Sequence, residues 1–256
     1  MTVQPPAPAT RSAPSGPVLF ARYAYPPNRL GLCGPADAPA LLDGAAAGAD
    51  GELRELARGF EGAYPYLQLI AEQNQVSDPL DQRVVDAYWL GSPLTAAVRP
   101  RVMHRDLVER FRGRMPVGDW RWLEAALAGG SRPMHAFHVL EVFPRVGLMR
   151  GGRPDPVVET MDACRIRWGR VVDVVGDQLL VAARRLDLVD GRLELGPERT
   201  ELARGWRGSG GLLDGVAPGD WVSLHWSWAC DRLSPAQLGR LASWTELALA
   251  SANRSL

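Results

Sequence analysis

Lysine is missing from this chain: the 29 basic residues are all arginine. That absence excludes Schiff-base and lysine-nucleophile chemistry, along with any phosphate loop built around a lysine. It fits a GC-rich genome. Cysteine is scarce, with Cys33, Cys164 and Cys230 far apart in the sequence. An odd, scattered set is not a disulfide framework and favours a reducing compartment. No apolar run approaches the roughly 18 residues that a membrane helix needs. The opening MTVQPPAPATRSAPSGP lacks the apolar core of a signal peptide. The expected location is therefore the cytoplasm, with no membrane partner. Neither sign of charge is in excess, since 29 acidic residues balance the arginines. The charge total therefore calls for neither nucleic acid nor an anionic surface.

What is present is enough to bury a core. The chain has 256 residues, 46% of them hydrophobic, which accommodates one or two domains. Residues 1–17, rich in proline, alanine and serine, are expected to form a disordered tail. The next stretch, LFARYAYPPNRLGLCGP, is punctuated by Pro26, Pro27, Gly31, Gly34 and Pro35 and reads as irregular. From Glu52 the pattern turns helical. Leu53, Leu56, Phe60, Tyr64, Leu67 and Ile70 recur at three- and four-residue spacing, interrupted at Gly62 and Pro65 by a kink or a break between two helices. A further helix is predicted with Asp78 as N-cap, Pro79 in its first turn, a buried stripe of Leu80, Val84, Val85 and Tyr88, and Gly91 as its stop. Shorter helices follow around His104–Phe111 and Val117–Leu127, and HAFHVLEVF fits either a strand or a short buried helix.

The Gly/Pro-rich residues 150–157 read as a domain boundary. Beyond them come the strand-like runs IRWGRVVDVV, QLLVAARRLDL, RLELG and WVSLHWSW. Gly176-Asp177 and Asp190-Gly191 mark turns between the first three, and Ser234-Pro235 opens a last helix. The fold expected is α+β: a mainly helical domain over 18–150, then a small OB-like β-barrel with a C-terminal helix over 158–256.

Two segments of this second part, CRIRWGRVVDVVGDQLLVAARR and PGDWVSLHWSWACDRLSPAQL, resemble the HypC-type chaperones of nickel–iron hydrogenase maturation. Cys164 matches the family's opening cysteine and Gly169 the glycine before the Val-Val pair. Pro218-Gly219-Asp220-Trp221-Val222 matches the second motif, and His225 its histidine. The resemblance implies an accessory protein, not an enzyme, that binds a transient Fe(CN)2CO unit through Cys164 with His225 beside it. It also implies a partner, either the hydrogenase large subunit or another maturation protein. A soft thiolate suits low-spin iron carrying cyanide and carbonyl. In the family that cysteine becomes chain-terminal, with a free amine next to the thiol; Cys164 is internal. The N-terminal region, with YAYPPNRLGLCGP and FEGAYPYLQLIA, resembles an uncharacterised family of bacterial proteins.

Other readings of the same residues stand beside this one. Alternation along WVSLHWSW puts His225 with Trp221, Ser223 and Ser227 on the more polar face, either as a ligand or as a surface histidine. Cys230 is either a second thiolate or a small core residue. His135 and His138 would share a face on a helix and could hold a metal, but would point apart on a strand. Cys33 is either an inert loop cysteine or the nucleophile of a thiol-dependent enzyme with His135 or His138 as its base. Five tryptophans from Trp206 to Trp244, with Arg165, Arg167, Arg170, Arg184 and Arg185, give an OB-like module the means to bind a single-stranded nucleic acid, against which the balanced charge speaks.

Overall fold

The computed structural model describes residues 13–113, 120–144, 154–205, 213 and 215–254. Most of the N-terminal tail and Trp206 lie outside these residues, as do 150–153 of the expected boundary.

Helical structure begins earlier than composition implies. Ser15 caps α1 (Gly16–Asn28) by accepting from the Val18 amide, and Gly16 and Pro17 are already buried. Residues 29–35 of the segment read as irregular form turns and bends as read, while its first part, residues 19–28, lies in this helix. Pro26 and Pro27 fall in its last turn, and nearly every residue along it is buried, so tertiary burial overrides the local helix-breaking signal. Gly16 sits so close to Leu80 that an added Cβ would lie 1.8 Å from its carbonyl oxygen.

Around α1 pack α2 (Ala38–Ala47), α3 (Asp50–Arg58) and α5 (Gln82–Leu90), and α4 (Tyr64–Gln73) packs on α5. The long periodic run thus resolves into two helices, α3 and α4, rather than one kinked helix. Helix α5 starts later than predicted. Asp81, not Asp78, is its N-cap, accepting from the Arg83 amide, while Asp78 accepts from Leu80 in the preceding turn. The predicted stripe of Leu80, Val84, Val85 and Tyr88 is buried, and Gly91 ends the helix with a positive φ. Next come α6 (Pro93–Ala97), α7 (Pro100–Phe111), α8 (Arg121–Ala128) and α9 (His135–Phe137), the last continuing as a π-helical run over His138–Val142.

Helix α10 (Pro154–Cys164) occupies part of the stretch expected to be a linker, so Cys164 closes a helix instead of opening a strand. Five strands follow: β1 (Arg167–Val175), β2 (Gln178–Val189), β3 (Arg192–Arg204), β4 (Trp221–His225) and β5 (Trp228–Arg232). The β2–β3 turn has positive φ at both Asp190 and Gly191, as the dipeptide predicts for a primed hairpin turn. The ladders run β1-β2-β3-β5-β4 and return to β1, with β3 and β5 meeting in parallel at Arg204 and Trp228. The run WVSLHWSW is not one strand: Trp226, at φ 54°, and Ser227 turn β4 back into β5. Helix α11 (Pro235–Ala252) closes the chain, started by a Ser234/Gln237 capping box. The architecture is α+β, with a helical N-terminal part, a five-stranded sheet and a C-terminal helix. One buried core runs from Val18 to Ala252 through both parts.

Helix α1 makes the connection that matters most for the site. Arg22 pairs with Asp231 of β5 at 2.9 Å, and the Tyr23 hydroxyl lies 2.8 Å from Ser223 Oγ of β4. Because α1 covers this side of β4, Ser223 and His225 are buried along with Val222 and Leu224. The expectation of a polar, solvent-facing side for His225 is therefore corrected: both faces of the strand are covered.

Candidate metal centre

Three groups from three elements converge where the helices meet the sheet. His135 comes from α9, Cys164 from the end of α10, and His225 from the end of β4. Their ligand atoms all lie within 4.8 Å of one another. Among the described residues, this is the one group of histidine, cysteine and carboxylate ligands so gathered.

The end of α10 is anchored firmly. Arg165, 1% exposed, donates from Nε and Nη2 to Asp162 Oδ1 at 3.1 and 2.8 Å and also reaches the Arg184 carbonyl. The same carboxylate oxygen accepts from the Leu186 amide of β2 at 2.8 Å. Arg167 pairs with Glu201 of β3, which also takes Arg185. Arg165 and Arg167 are thus buried ion-pair partners, not groups free to meet a nucleic acid. On the other side of Cys164, the Trp226 amide donates to the Ala163 carbonyl at 2.7 Å. The helix end and the β4–β5 turn therefore hold Cys164 and His225 in register.

The tautomers of the two histidines follow from their partners. A backbone carbonyl can only accept, so the nitrogen facing it must carry the proton. His225 Nδ1 lies 2.6 Å from the Tyr23 carbonyl. Its Nδ1–H therefore donates, leaving a lone pair on Nε2. That atom is buried and makes no hydrogen bond of ordinary geometry, although the Cys164 main chain lies close enough to act on the ring. An orphaned buried acceptor costs about 1–3 kcal/mol, and a Lewis acid at this point would offset that cost. The arrangement, a ring held by a carbonyl at one nitrogen and free at the other, is how proteins orient a metal-binding histidine. His135 is set the other way. Its Nε2 lies 2.8 Å from the Cys164 carbonyl and 4.0 Å from the Cys164 sulfur, so Nε2–H donates to the carbonyl. Its Nδ1 then accepts from the Tyr88 hydroxyl at 3.2 Å.

Electrostatics favour neutral rings. Burial lowers His135 to about 4 and lowers His225 well below the usual range. Burial also pushes the Cys164 thiol up to about 12, with Cys33 near enough to add to the effect. A thiol and an imidazole displaced in these directions do not form a thiolate–imidazolium pair at neutral pH. The His135 proton faces a carbonyl, so this ring is not poised as a base towards the sulfur. Neutral imidazoles beside a thiol that gives up its proton to a metal make a suitable soft donor set.

The remaining sequence candidates lie elsewhere. His138 shares the helical segment with His135 but turns to the Tyr66 hydroxyl, 3.2 Å from its Nδ1, so the two do not form a joint site. Cys230 is fully buried in β5, its thiol 3.7 Å from the Trp228 carbonyl, and stands outside the ligand group as a core residue. Cys33 lies on the exposed loop after α1, where Asn28 Nδ2 donates to the carbonyls of Cys33 and Pro35. Although the residue is exposed, protein around its sulfur pushes the thiol up to about 12. No hydrogen bond joins Cys33 to a histidine among the described residues. Sequence reasoning missed the groups that set the rings, Tyr23 and Tyr88. It also missed Trp89, which packs against both histidines with ring centroids 4.7 and 5.8 Å away. These contacts span long sequence separations, and no local motif announces them.

A family model matches residues 12–256, and the chain belongs to that family, a family of unknown function (DUF6390). The match covers the helical part and the sheet together. No curated protein and no solved structure matches the chain.

Proposed function

We propose that this member of the DUF6390 family is an accessory protein of metallocentre assembly, which takes a soft transition-metal unit between its helices and its sheet. The observation that carries the reading is the unpartnered lone pair of His225 Nε2, buried beside Cys164 and His135. Cys164 supplies the thiolate and His225 the imidazole that needs no rearrangement to ligate. His135 stands as the third donor where an internal cysteine has no terminal amine. The resemblance to HypC-type chaperones supports a particular cargo, the Fe(CN)2CO unit. It supports particular partners too, a hydrogenase large subunit or another maturation protein. The strand order β1-β2-β3-β5-β4 with a parallel β3–β5 contact fits an OB-like barrel, which agrees with that reading. With both imidazoles buried, the cargo would be enclosed, so transfer would require the site to open.

The test is infrared spectroscopy on protein purified after co-expression with the hydrogenase maturation machinery. Cyanide and carbonyl stretching bands are expected in the native chain and absent from Cys164→Ala. A native protein without such bands, together with unimpaired hydrogenase activity in a Cys164→Ala strain, would overturn the assignment.

A further inference from the structure

Among the three donors, His135 alone presents the wrong nitrogen chemistry. Its Nε2, the atom nearest Cys164, is occupied by a proton donated to the Cys164 carbonyl. For that nitrogen to bind a metal, the proton must leave it and the neutral ring must carry its proton on Nδ1 instead. Among the described residues, the hydrogen-bond partner of Nδ1 is the hydroxyl of Tyr88. A hydroxyl can donate or accept, unlike the carbonyl that fixes His225. Tyr88 itself is 1% exposed and is clamped by aromatic neighbours, with Tyr66 stacked at 5.7 Å and Trp89 edge-on at 4.7 Å. It can reverse its hydrogen bond by rotating one O–H, with no movement of the ring.

We propose that Tyr88 is a positioning residue that lets His135 switch tautomer, so that the site offers two ligands when empty and three when loaded. The proposal rests on the metal-site reading above. No net charge changes in the switch: one N–H bond breaks at Nε2, one forms at Nδ1, and the Tyr88 hydroxyl turns from donor to acceptor. The two histidines thereby have distinct duties. His225 is permanently committed by a main-chain acceptor, whereas His135 joins only when a metal displaces its proton.

The experiment uses the full chain and zinc ion alone as the probe. Long-range proton–nitrogen correlation spectra of the imidazoles report each tautomer directly. In the metal-free protein, His135 is expected as the Nε2–H form and His225 as the Nδ1–H form. On adding zinc, His135 is expected to become the Nδ1–H form with Nε2 bound, while His225 keeps its proton where it was. Tyr88→Phe keeps the ring and removes the acceptor. It is expected to leave His135 as Nε2–H in the presence of zinc and to weaken zinc binding 10- to 100-fold, the usual loss for an outer-shell partner. Zinc held by Cys164 and His225 while native His135 remains Nε2–H would overturn this proposal alone. So would a Tyr88→Phe protein that binds zinc as tightly as the native one with His135 ligated. A native protein that takes no zinc at Cys164 and His225 overturns both this proposal and the site reading. Should Tyr88→Phe fail to fold, the native spectra with and without zinc decide the matter.

Discussion

A histidine buried as a neutral ring links this site to pH. The folded value for His135 lies near 4, against 6.5 for a free imidazole, because burial opposes its charged form. As pH falls below 6.5 the unfolded chain takes up a proton that the folded chain refuses, so stability present above that pH is lost on the way down to about 4. Between pH 7 and pH 5 His135 accounts for about 2 kcal/mol of lost stability. His138 and His225, lowered by burial as well, act in the same direction. Urea unfolding at the two pH values measures this, and an unchanged midpoint would contradict the buried neutral rings. The sequence made Cys164 and His225 visible as a pair through the two motifs that flank them. It also picked out His135, but paired it with His138, because spacing within a segment says nothing of which ring faces which element. The partners that settle their tautomers, a main-chain carbonyl and a tyrosine from another helix, leave no mark on local sequence.

At the level of elements, Asp162 ties α10 to the sheet. It accepts from the buried Arg165 side chain and from the Leu186 amide through one oxygen. Asp162→Ala leaves an almost fully buried guanidinium without its charge partner and is expected to cost about 3–5 kcal/mol. Asp162→Asn, which keeps an acceptor oxygen, should cost less. Denaturant titration of the two variants separates them, and equal losses would argue that the charge is unimportant. Helix α5 and the β2–β3 hairpin were legible because their signals are local: a stripe, a stop glycine, an Asp-Gly turn. Helix α1 was not, because Pro26 and Pro27 advertise a break that burial on all sides overrules. The end of β4 was misread for a related reason. Alternation distinguishes two faces only when one of them meets water, and α1 covers the face that carries Ser223 and His225.

For the molecule as a whole, the core is continuous and the site sits across its seam. Tyr23, Arg22 and the Tyr25–Trp228 ring contact join α1 to β4 and β5, while Arg240 of α11 pairs with Asp86 of α5. Loss of the helices and loss of the sheet are therefore expected to coincide. Far-ultraviolet circular dichroism and tryptophan fluorescence should follow one denaturant transition, and two separated midpoints would show independent units. The composition shift near residue 150 suggested two bodies in series, but hydrophobic patterning records how each segment is buried and not which distant segment buries it. The acceptor that holds His225 is the main-chain oxygen of Tyr23. No side-chain replacement can delete that oxygen. Freeing the ring therefore means shifting the first helix as a body, so a molecule that pulls on that helix would move an imidazole it never touches.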